Sequence, residues 1–319
     1  MPVICTGSIA YDYLMTFPGY FKDHILAEHL DKLSLSFLVD SMVRQRGGTA
    51  PNIAYSLALL GETSYLVGTV GEDFEDYRAW MEKNGVNTEY TRVIPGLFTA
   101  SFFANTDRSN AQISSFYPGA MAEAGRIHMS EMVKLNPELV VISPNDPGAM
   151  HQYALECSEL GLPYLYDPSQ QIVRMSAEQL RFGAEHAHCL FVNDYEYQLL
   201  QKHTGLSEDD LLKNMRFMVV TLGKDGANIY ADGHCYHTPV VPPQEILDPT
   251  GVGDAFRGGF LRGLRLGLGW ETCGKMGALA ATYCLEQRGT QSHHYLISEF
   301  IARFRQHFDD QGELDRLTR

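Results

Sequence analysis

The segment DPTGVGDAFRGGF, residues 248–260, places glycines and a carboxylate at a predicted helix start. Pro249 disfavours a helix before it, and Gly251 and Gly253 free the turn, so we expect the helix to begin near Asp254. Unpaired N–H groups at such a start form an anion site. Asp254 could accept a proton from an attacking hydroxyl while these amides hold a transferred phosphoryl group. The alternative is an ordinary capping carboxylate.

Two segments near the N-terminus carry polar side chains that could bind a sugar. GSIAYD places Asp12 after the first predicted strand, and GGTAPNIA places Asn52 just inside a helix that follows a Gly-Gly turn. Asp12 could lie on the surface, or its two oxygens could bind a vicinal diol. Asn52 could be a polar residue of an ordinary first turn, or its amide could bond a sugar hydroxyl.

Two later motifs are candidates for nucleotide contacts. In NDYE, Asn193 and Glu196 stand three residues apart at a predicted helix start, so they could face one side or form a capping box. TLGKDGA, residues 221–227, could be a hairpin turn or part of a nucleotide site. The common phosphate-binding signatures are missing, because Lys224 is not followed by Ser or Thr and Phe256 stands where a third glycine is needed.

These motifs lie among short β-rich segments that alternate with helical patterns along most of the chain. The predicted strands are SYLVGTVG, LVVISP, PYLYD, CLFVN and MVVTLG, and the predicted helices include PNIAYSLALLG, GAMHQYALECSELG and EYQLLQKHTG. The alternation predicts an α/β fold with a doubly wound, mostly parallel sheet flanked by helices. Ligands of such sheets bind beyond the carboxyl ends of the strands, where the polar motifs cluster.

Two stretches, residues 11–46 and 99–119, depart from this alternation. Both are rich in β-forming residues with polar interruptions, and neither shows a long helical pattern. They predict a small separate β-sheet, built from two insertions, that covers the strand ends as a lid. The alternative is that they extend the main sheet.

Composition argues against several classes of function. The 319 residues include 39 acidic and 25 basic side chains, a net charge of −14, which disfavours binding to nucleic acid. The chain shows no secretory pattern, no apolar run of membrane-spanning length and no CxxC pair among its six cysteines. We therefore expect a cytoplasmic protein with small-molecule ligands. His186 and His188 would diverge on a helix, which argues against a metal centre there.

In their order along the chain, these motifs resemble those of the PfkB (ribokinase-like) family of ATP-dependent sugar and nucleoside kinases. The resemblance runs from Gly7 to about Gly289, and its most specific element is D-x-T-G-x-G-D at residues 248–254. It implies a large α/β nucleotide-binding and catalytic domain and a small β lid. The large domain would comprise residues 1–10, 47–98 and 120–319, and the lid residues 11–46 and 99–119.

The segments CTGSIAYD, SLSFLVD, RGGTAPNIA, QISSFYPGAM and DPSQQ look more like bacterial adenosine kinases than like ribokinase or fructokinase. This resemblance implies transfer of the ATP γ-phosphoryl group to the 5′-hydroxyl of adenosine, which gives AMP and ADP. The alternatives within the family are a broader nucleoside kinase and a ribose-type sugar kinase. Outside enzymes, the alternative is a nucleoside-binding sensor, although a sensor has no need of a proton acceptor such as Asp254.

The resemblance also assigns catalytic and nucleoside-binding roles. Asp254 would be the general base, and Arg174 would reach the transferring phosphate. The amides of the anion hole would be those of Gly251, Val252 and Gly253. A purine base would stack on apolar faces supplied by Phe102 and Phe116. The remaining nucleoside contacts would be Ser8, Asp12, Ser36, Gly48, Asn52, Gln170 and Gln171. The tail departs from expectation, because it offers His293 and His294 where an amide contact to the nucleoside is expected.

For the nucleotide, the resemblance implies Mg²⁺ with ATP. Asn193 and Glu196 would orient the Mg²⁺ through water. The phosphate and ribose side of the nucleotide would be shaped by Thr221, Gly223 and Gly226. A monovalent cation such as K⁺ would lie beside the loop that begins with Asp248 and Thr250. The family resemblance further implies a homodimer joined through the lids.

Overall fold

The computed structural model describes residues 1–25 and 35–318. Its strands are β1 (Val3–Thr6), β2 (Ala10–Thr16), β3 (Ser41–Gly47), β4 (Ser64–Val70), β5 (Thr91–Val93), β6 (Ala100–Thr106), β7 (Gln112–Tyr117), β8 (Leu139–Ile142), β9 (Tyr164–Tyr166), β10 (Cys189–Asn193), β11 (Phe217–Thr221), β12 (Ala227–Ala231) and β13 (His234–Thr238). Its α-helices are α1 (Thr49–Leu59), α2 (Glu75–Lys83), α3 (Pro147–Leu160), α4 (Ala177–Glu185), α5 (Asp194–Thr204), α6 (Glu208–Leu212), α7 (Val252–Arg265), α8 (Trp270–Leu285) and α9 (Ile297–His307).

Within the described residues, the larger sheet has the order β13-β12-β11-β10-β9-β8-β1-β4-β5. The strands from β11 to β5 pair in parallel, and β12 and β13 add an antiparallel edge. The segment TLGKDGA is therefore the turn of the β11–β12 hairpin. The α/β fold with a mostly parallel, helix-flanked sheet that the sequence predicts is confirmed.

Successive residues of the central strands face two hydrophobic clusters, one on each side of the large sheet. Val3 and Cys5 belong to the cluster that includes residues of α1, α7, α8 and α9, whereas Ile4 belongs to the cluster with α3, α4 and α5. The members of both clusters are buried, so the carboxyl ends of the strands project from a sheet that is covered on both faces. None of the helices in the described ranges is both long and apolar enough to cross a bilayer.

Apart from residues 26–34, which lie outside the described ranges, the two departing stretches contribute to a separate four-stranded sheet with the order β3-β2-β6-β7. This is the small sheet that the sequence predicts and not an extension of the large one. Its register places Asp12 beside Phe102, and Phe102 beside Phe116, on neighbouring strands. Three side chains of one face thereby meet in a row. The domain boundaries and the movement of this sheet as a lid stay predictions.

Candidate active site

A cavity of about 490 Å³ lies between the carboxyl ends of the large-sheet strands and the small sheet. Many of the residues selected from the sequence line it, although they come from distant parts of the chain. These are Ser8, Asp12, Gly48, Asn52, Phe102, Phe116, Gln170, Asn193, Glu196, Thr221, Gly251, Gly253 and Asp254. The fold thus gathers a set of carboxylates, amides, aromatic rings and main-chain donors around one space.

Helix α7 presents Asp254 to this cavity. The helix begins at Val252, two residues earlier than the expected start near Asp254, because Gly251 caps it with a left-handed φ of 77°. A side chain at Gly251 would also collide with Thr290, 2.8 Å from the added Cβ. The Ala255 amide makes the first helical bond, to the Gly251 carbonyl at 2.9 Å, so the preceding amides have no helical acceptor.

The Asp254 carboxylate is fixed by a side chain from another helix. The Asn52 amide, near the start of α1, donates to one Asp254 oxygen at 2.8 Å. Burial raises the pKa of Asp254 to about 6, although the nearby Arg257 and the Asn52 hydrogen bond lower it. The group is therefore ionised at neutral pH, and its proton affinity is close to the value that suits a general base.

Asp12 on β2 is the second carboxylate of the cavity. Burial, followed by the charge of Asp248, raises its pKa to about 6. A Cβ atom added at Gly47 would lie 2.4 Å from an Asp12 oxygen, so the glycine makes room for the carboxylate. Gly48 is similarly restricted, because its φ is 97° and an added Cβ would lie 2.4 Å from the Ser8 carbonyl oxygen.

Asn193 and Glu196 agree with both alternatives that the sequence left open, a capping box and a pair that faces one side. They form a reciprocal capping box at the start of α5, with each amide N–H bonded to the partner's side chain at 2.8 Å. The Ser169 hydroxyl donates to the other Glu196 oxygen at 3.0 Å. Both side chains also line the cavity. Since both Glu196 oxygens are already bonded, a metal ion there fits contact through water better than direct ligation.

The structure does not bring every predicted site residue to this cavity. Gln171 and Arg174 line a side chamber of about 230 Å³, which shares Ser8, Phe116 and Gln170 with the main cavity. Arg174 lines this chamber and not the main cavity with Asp254, and its assignment to the transferring phosphate stays a prediction.

Other predicted residues also lie outside the cavity lining. Ser36 is exposed, and its neighbour Phe37 packs on Phe17 and Phe21. Gly223 and Gly226 belong to the β11–β12 turn, where a Cβ at Gly226 would lie 2.0 Å from the Thr238 carbonyl oxygen. Their glycine requirement therefore has a conformational cause. The Val252 side chain is not among the lining groups, although its role was assigned to the main chain.

The tail contributes an amide from a residue that sequence analysis did not select. Gln291 donates to the Asn52 side-chain oxygen at 2.9 Å, which orients the amide that holds Asp254. His293 is buried, and burial lowers its pKa to about 4. Neither it nor His294 lines the cavity. An amide side chain in this region thus lies two residues before the first histidine, and it contacts Asn52.

Sequence analysis also missed an arginine and its partner. Arg257, three residues after Asp254 on α7, lines the cavity and forms a buried ion pair with Asp167, which follows β9. The i, i+3 spacing from Asp254 was a usable signal for Arg257. Asp167 begins the segment DPSQQ, but no local pattern pointed to its pairing with Arg257, which is 90 residues away in the sequence.

A family model described as "pfkB family carbohydrate kinase" matches residues 9–295. The nucleoside kinase of Methanocaldococcus jannaschii is 28% identical over 312 residues, which cover 96% of this chain and 97% of that protein. The structure of Burkholderia thailandensis nucleoside kinase in complex with inosine is 37% identical, with a TM-score of 0.84 over 96% of this chain and 98% of that one. Thermotoga maritima ribokinase, 21% identical, shares the fold, with a TM-score of 0.78 over 96% and 99% of the two chains.

Proposed function

Because the chain belongs to the pfkB family of carbohydrate kinases, we propose that it transfers the γ-phosphoryl group of ATP to the 5′-hydroxyl of a nucleoside. The observation that carries this proposal is the single cavity that holds Asp254, the glycine-capped start of α7, Asp12 and the Phe102–Phe116 pair. These groups can accept a proton, hold a phosphoryl group, bind a diol and stack on a base. The two similar nucleoside kinases support the same class of acceptor.

In the proposed reaction, Asp254 accepts the proton of the 5′-hydroxyl as that oxygen attacks the γ-phosphorus. The Asn52 amide occupies one carboxylate oxygen, which leaves the other for the hydroxyl. The amides of Gly251, Val252 and Gly253 stabilise the charge on the transferred group. ADP leaves with the bridging oxygen.

The ribose is the part of the acceptor that Asp12 would bind. Its two oxygens would accept hydrogen bonds from the 2′- and 3′-hydroxyls, while Asn52, Ser8 and the main chain at Gly48 line the same space. A charged acceptor strengthens such hydrogen bonds. Binding of the diol at Asp12 would leave the 5′-hydroxyl on the side of Asp254.

The base would stack on Phe102 and Phe116, next to the side chamber. Adenosine is the first candidate, as the sequence resemblance implies, and inosine is the second, since the B. thailandensis enzyme has a structure in complex with it. The chamber offers the amides of Gln170 and Gln171 and the guanidinium of Arg174. Glutamine can donate to or accept from either base, whereas arginine only donates, which suits the 6-carbonyl of inosine.

Mg²⁺ with ATP belongs to the proposal, with Asn193 and Glu196 as the groups that orient the ion through its water shell. When bound, Mg²⁺ would neutralise charge on the phosphate oxygens. A K⁺ ion beside the loop at residues 248–250 is a further part of the proposal. There Asp248 accepts hydrogen bonds from the amides of Thr250, at 2.9 Å, and Gly289, at 3.0 Å, which closes the loop. Replacement of K⁺ by Li⁺ at constant ionic strength would test the ion's contribution.

The small sheet would act as the lid of the acceptor site and as the contact between two subunits. Exposed apolar side chains on this sheet support the contact, and they are Met42, Val43, Phe103, Ile113 and Tyr117. A cytoplasmic location is likewise proposed, because all six cysteines are free thiols. Light scattering of the purified chain, with Ile113→Lys as a variant, would test the dimer.

A panel of acceptors with ATP as the fixed donor tests the function. Adenosine, inosine, guanosine, cytidine and ribose would be compared by kcat/KM, with ADP and nucleoside monophosphate measured together. We expect equal amounts of ADP and of a 5′-monophosphate from at least one purine nucleoside. Turnover of ribose alone would indicate a sugar kinase, and nucleoside binding without turnover would indicate a sensor.

A further inference from the structure

An arginine that the reaction above does not use lies in the wall of the active-site cavity. Arg257 follows Asp254 by three residues on α7, and its side chain is 9% exposed, yet it contributes to the cavity lining. A guanidinium buried to this extent is costly unless a partner neutralises it and fixes its donors. Asp167 is that partner.

The ion pair holds Arg257 in a fixed orientation. The Asp167 carboxylate contacts Nε of Arg257 at 2.7 Å and accepts a hydrogen bond from Nη2 at 2.8 Å. The hydrogen bond from Nη2, together with the close ion-pair contact at Nε, restricts the position of the guanidinium. They engage two of its three nitrogens and leave Nη1 for another partner.

The remaining nitrogen lies at the start of α7. A Cβ atom added at Gly253 would be 2.9 Å from Nη1 of Arg257, so this nitrogen lies against the Gly253 main chain. Gly253 and Asp254 belong to the helical turn whose amides form the anion site. Nη1 therefore adds a share of the delocalised guanidinium charge to a place where main-chain donors supply only partial charges.

The positive charge of Arg257 affects the pKa values of the acids around it. Burial raises the pKa of Asp167 to about 7 and that of Asp254 to about 6, and in both groups Arg257 opposes the rise. The charge of Glu196 also acts on Asp167, Asp254 and Arg257. Among these four residues Arg257 is the one cation, so it is the side chain of this group that can attract an anionic phosphoryl group.

We propose that Arg257 is a catalytic residue whose Nη1 binds the γ-phosphoryl oxygens during transfer, while Asp167 holds the guanidinium in place. This inference rests on the proposed kinase function. The bond between the 5′-oxygen and the γ-phosphorus forms, the bond to the bridging oxygen breaks, and the hydroxyl proton goes to Asp254. Arg257 exchanges no proton and stabilises the negative charge spread over the transferred group.

This assignment replaces the role that the sequence resemblance gave to Arg174. Arg174 is exposed and lines the side chamber with Gln171 and Phe116. Arg257 is buried, held by two contacts and adjacent to Gly253. Of these two arginines, only Arg257 has both the fixed geometry and the position that phosphoryl transfer requires.

Arg257→Gln and Arg257→Lys test the proposal, with Arg262→Gln as the matched control. Arg262 lies on the same helix and forms a comparable ion pair with Glu62, at 2.5 Å, outside the cavity lining. We expect Arg257→Gln to lower kcat by about 10²–10³-fold, the range for loss of one preorganised donor, with little change in the KM of the nucleoside. Arg257→Lys should recover part of the loss, and Arg262→Gln should retain the wild-type kcat.

Two further measurements separate a phosphate contact from a structural role. In calorimetry, Arg257→Gln should weaken the binding of a non-hydrolysable ATP analogue far more than the binding of ADP, because only the analogue carries a γ-phosphate. The acid limb of kcat should also shift to higher pH, since loss of the positive charge raises the pKa of Asp254. Equal losses for both nucleotides, or a kcat that follows the Arg262→Gln control, would overturn the proposal.

The double variant Arg257→Gln/Asp167→Asn covers the case in which the single variant does not fold, because it leaves no buried charge unpaired. A folded double variant with the wild-type kcat would refute the role of Arg257. The proposed function fails separately, if the wild-type chain phosphorylates no nucleoside. A wild-type enzyme that is active, with an equally active Arg257→Gln, would remove the arginine from the mechanism and leave the function intact.

Discussion

The two ends of the active-site cavity are built differently. At the α7 end, Asp254 is bonded to Asn52, Asn52 to Gln291, and Arg257 to Asp167, each through buried or half-buried contacts below 3 Å. At the small-sheet end, Phe102 and Phe116 meet across neighbouring strands, and Phe116 is 46% exposed. One end is fixed by polar contacts, and the other presents apolar surface that still faces water.

This difference indicates how the work of a kinase is divided. Phosphoryl transfer requires hydrogen-bond donors and a base that are already in position, because their reorientation during the reaction would slow it. Recognition of a base instead gains free energy when exposed aromatic surface is covered. Substitutions at the α7 end should therefore lower kcat, and those at the small-sheet end should raise KM. A reversal of this pattern would contradict the comparison.

The largest effect is expected at Asp254. Asp254→Asn keeps the size of the side chain and removes the proton acceptor, so we expect kcat to fall by about 10²–10⁴-fold. Binding of ATP, measured by calorimetry, should remain nearly unchanged, because the main-chain donors are intact. A wild-type kcat would exclude Asp254 from the chemistry.

Asp12 belongs to the small sheet but carries a charge. Its substitution therefore tests whether location or charge decides if kcat or KM changes. Asp12→Asn should raise the KM of the nucleoside by roughly 10- to 100-fold, the loss expected for hydrogen bonds to a charged group, and change kcat much less. The KM of ATP should stay constant and serves as the internal control. A loss confined to kcat would place Asp12 with the catalytic groups.

Phe116 should show a smaller effect of the same kind. Phe116→Ala removes one stacking surface and should raise the KM of a purine nucleoside by roughly 5- to 30-fold. Phe103→Ala is the matched control, because Phe103 lies on β6 next to Phe102 and therefore points to the opposite face, where it stacks on Tyr13 at 4.8 Å. Equal increases for the nucleoside and for ATP would contradict base stacking.

The sequence predicted the strands and helix starts that position the site better than it predicted the side-chain contacts within the site. Strand β10 coincides with the segment CLFVN, which ends at Asn193, and Glu196 lies in the first turn of the next helix as expected, because strand and helix start both depend on local patterns. The Arg257–Asp167 pair depends instead on β9 and α7 meeting after folding, which no spacing encodes. The assignment of Arg174 to the phosphate came from the family resemblance, which does not show that Arg174 is exposed and that Arg257 is held by a buried acid.

The pH dependence of activity should give the smallest effect, and it tests most finely how the two ends of the cavity differ. Asp254 and Asp12 both have pKa values raised to about 6, chiefly by burial. Each works as the carboxylate, so activity is retained above pH 6 and falls below it. At pH 5 about one-tenth of Asp254 is ionised in the free enzyme, so kcat/KM should be at least tenfold below its plateau.

The two carboxylates can be separated by the parameter that each controls. Protonation of Asp254 should lower kcat, whereas protonation of Asp12 should raise the KM of the nucleoside over the same pH range. Asp12→Asn should therefore abolish the acid limb of KM and preserve that of kcat, and Phe116→Ala should preserve both. If Asp12→Asn also removed the acid limb of kcat, the two ends of the cavity would titrate as one unit, and the division between chemistry and recognition would not hold.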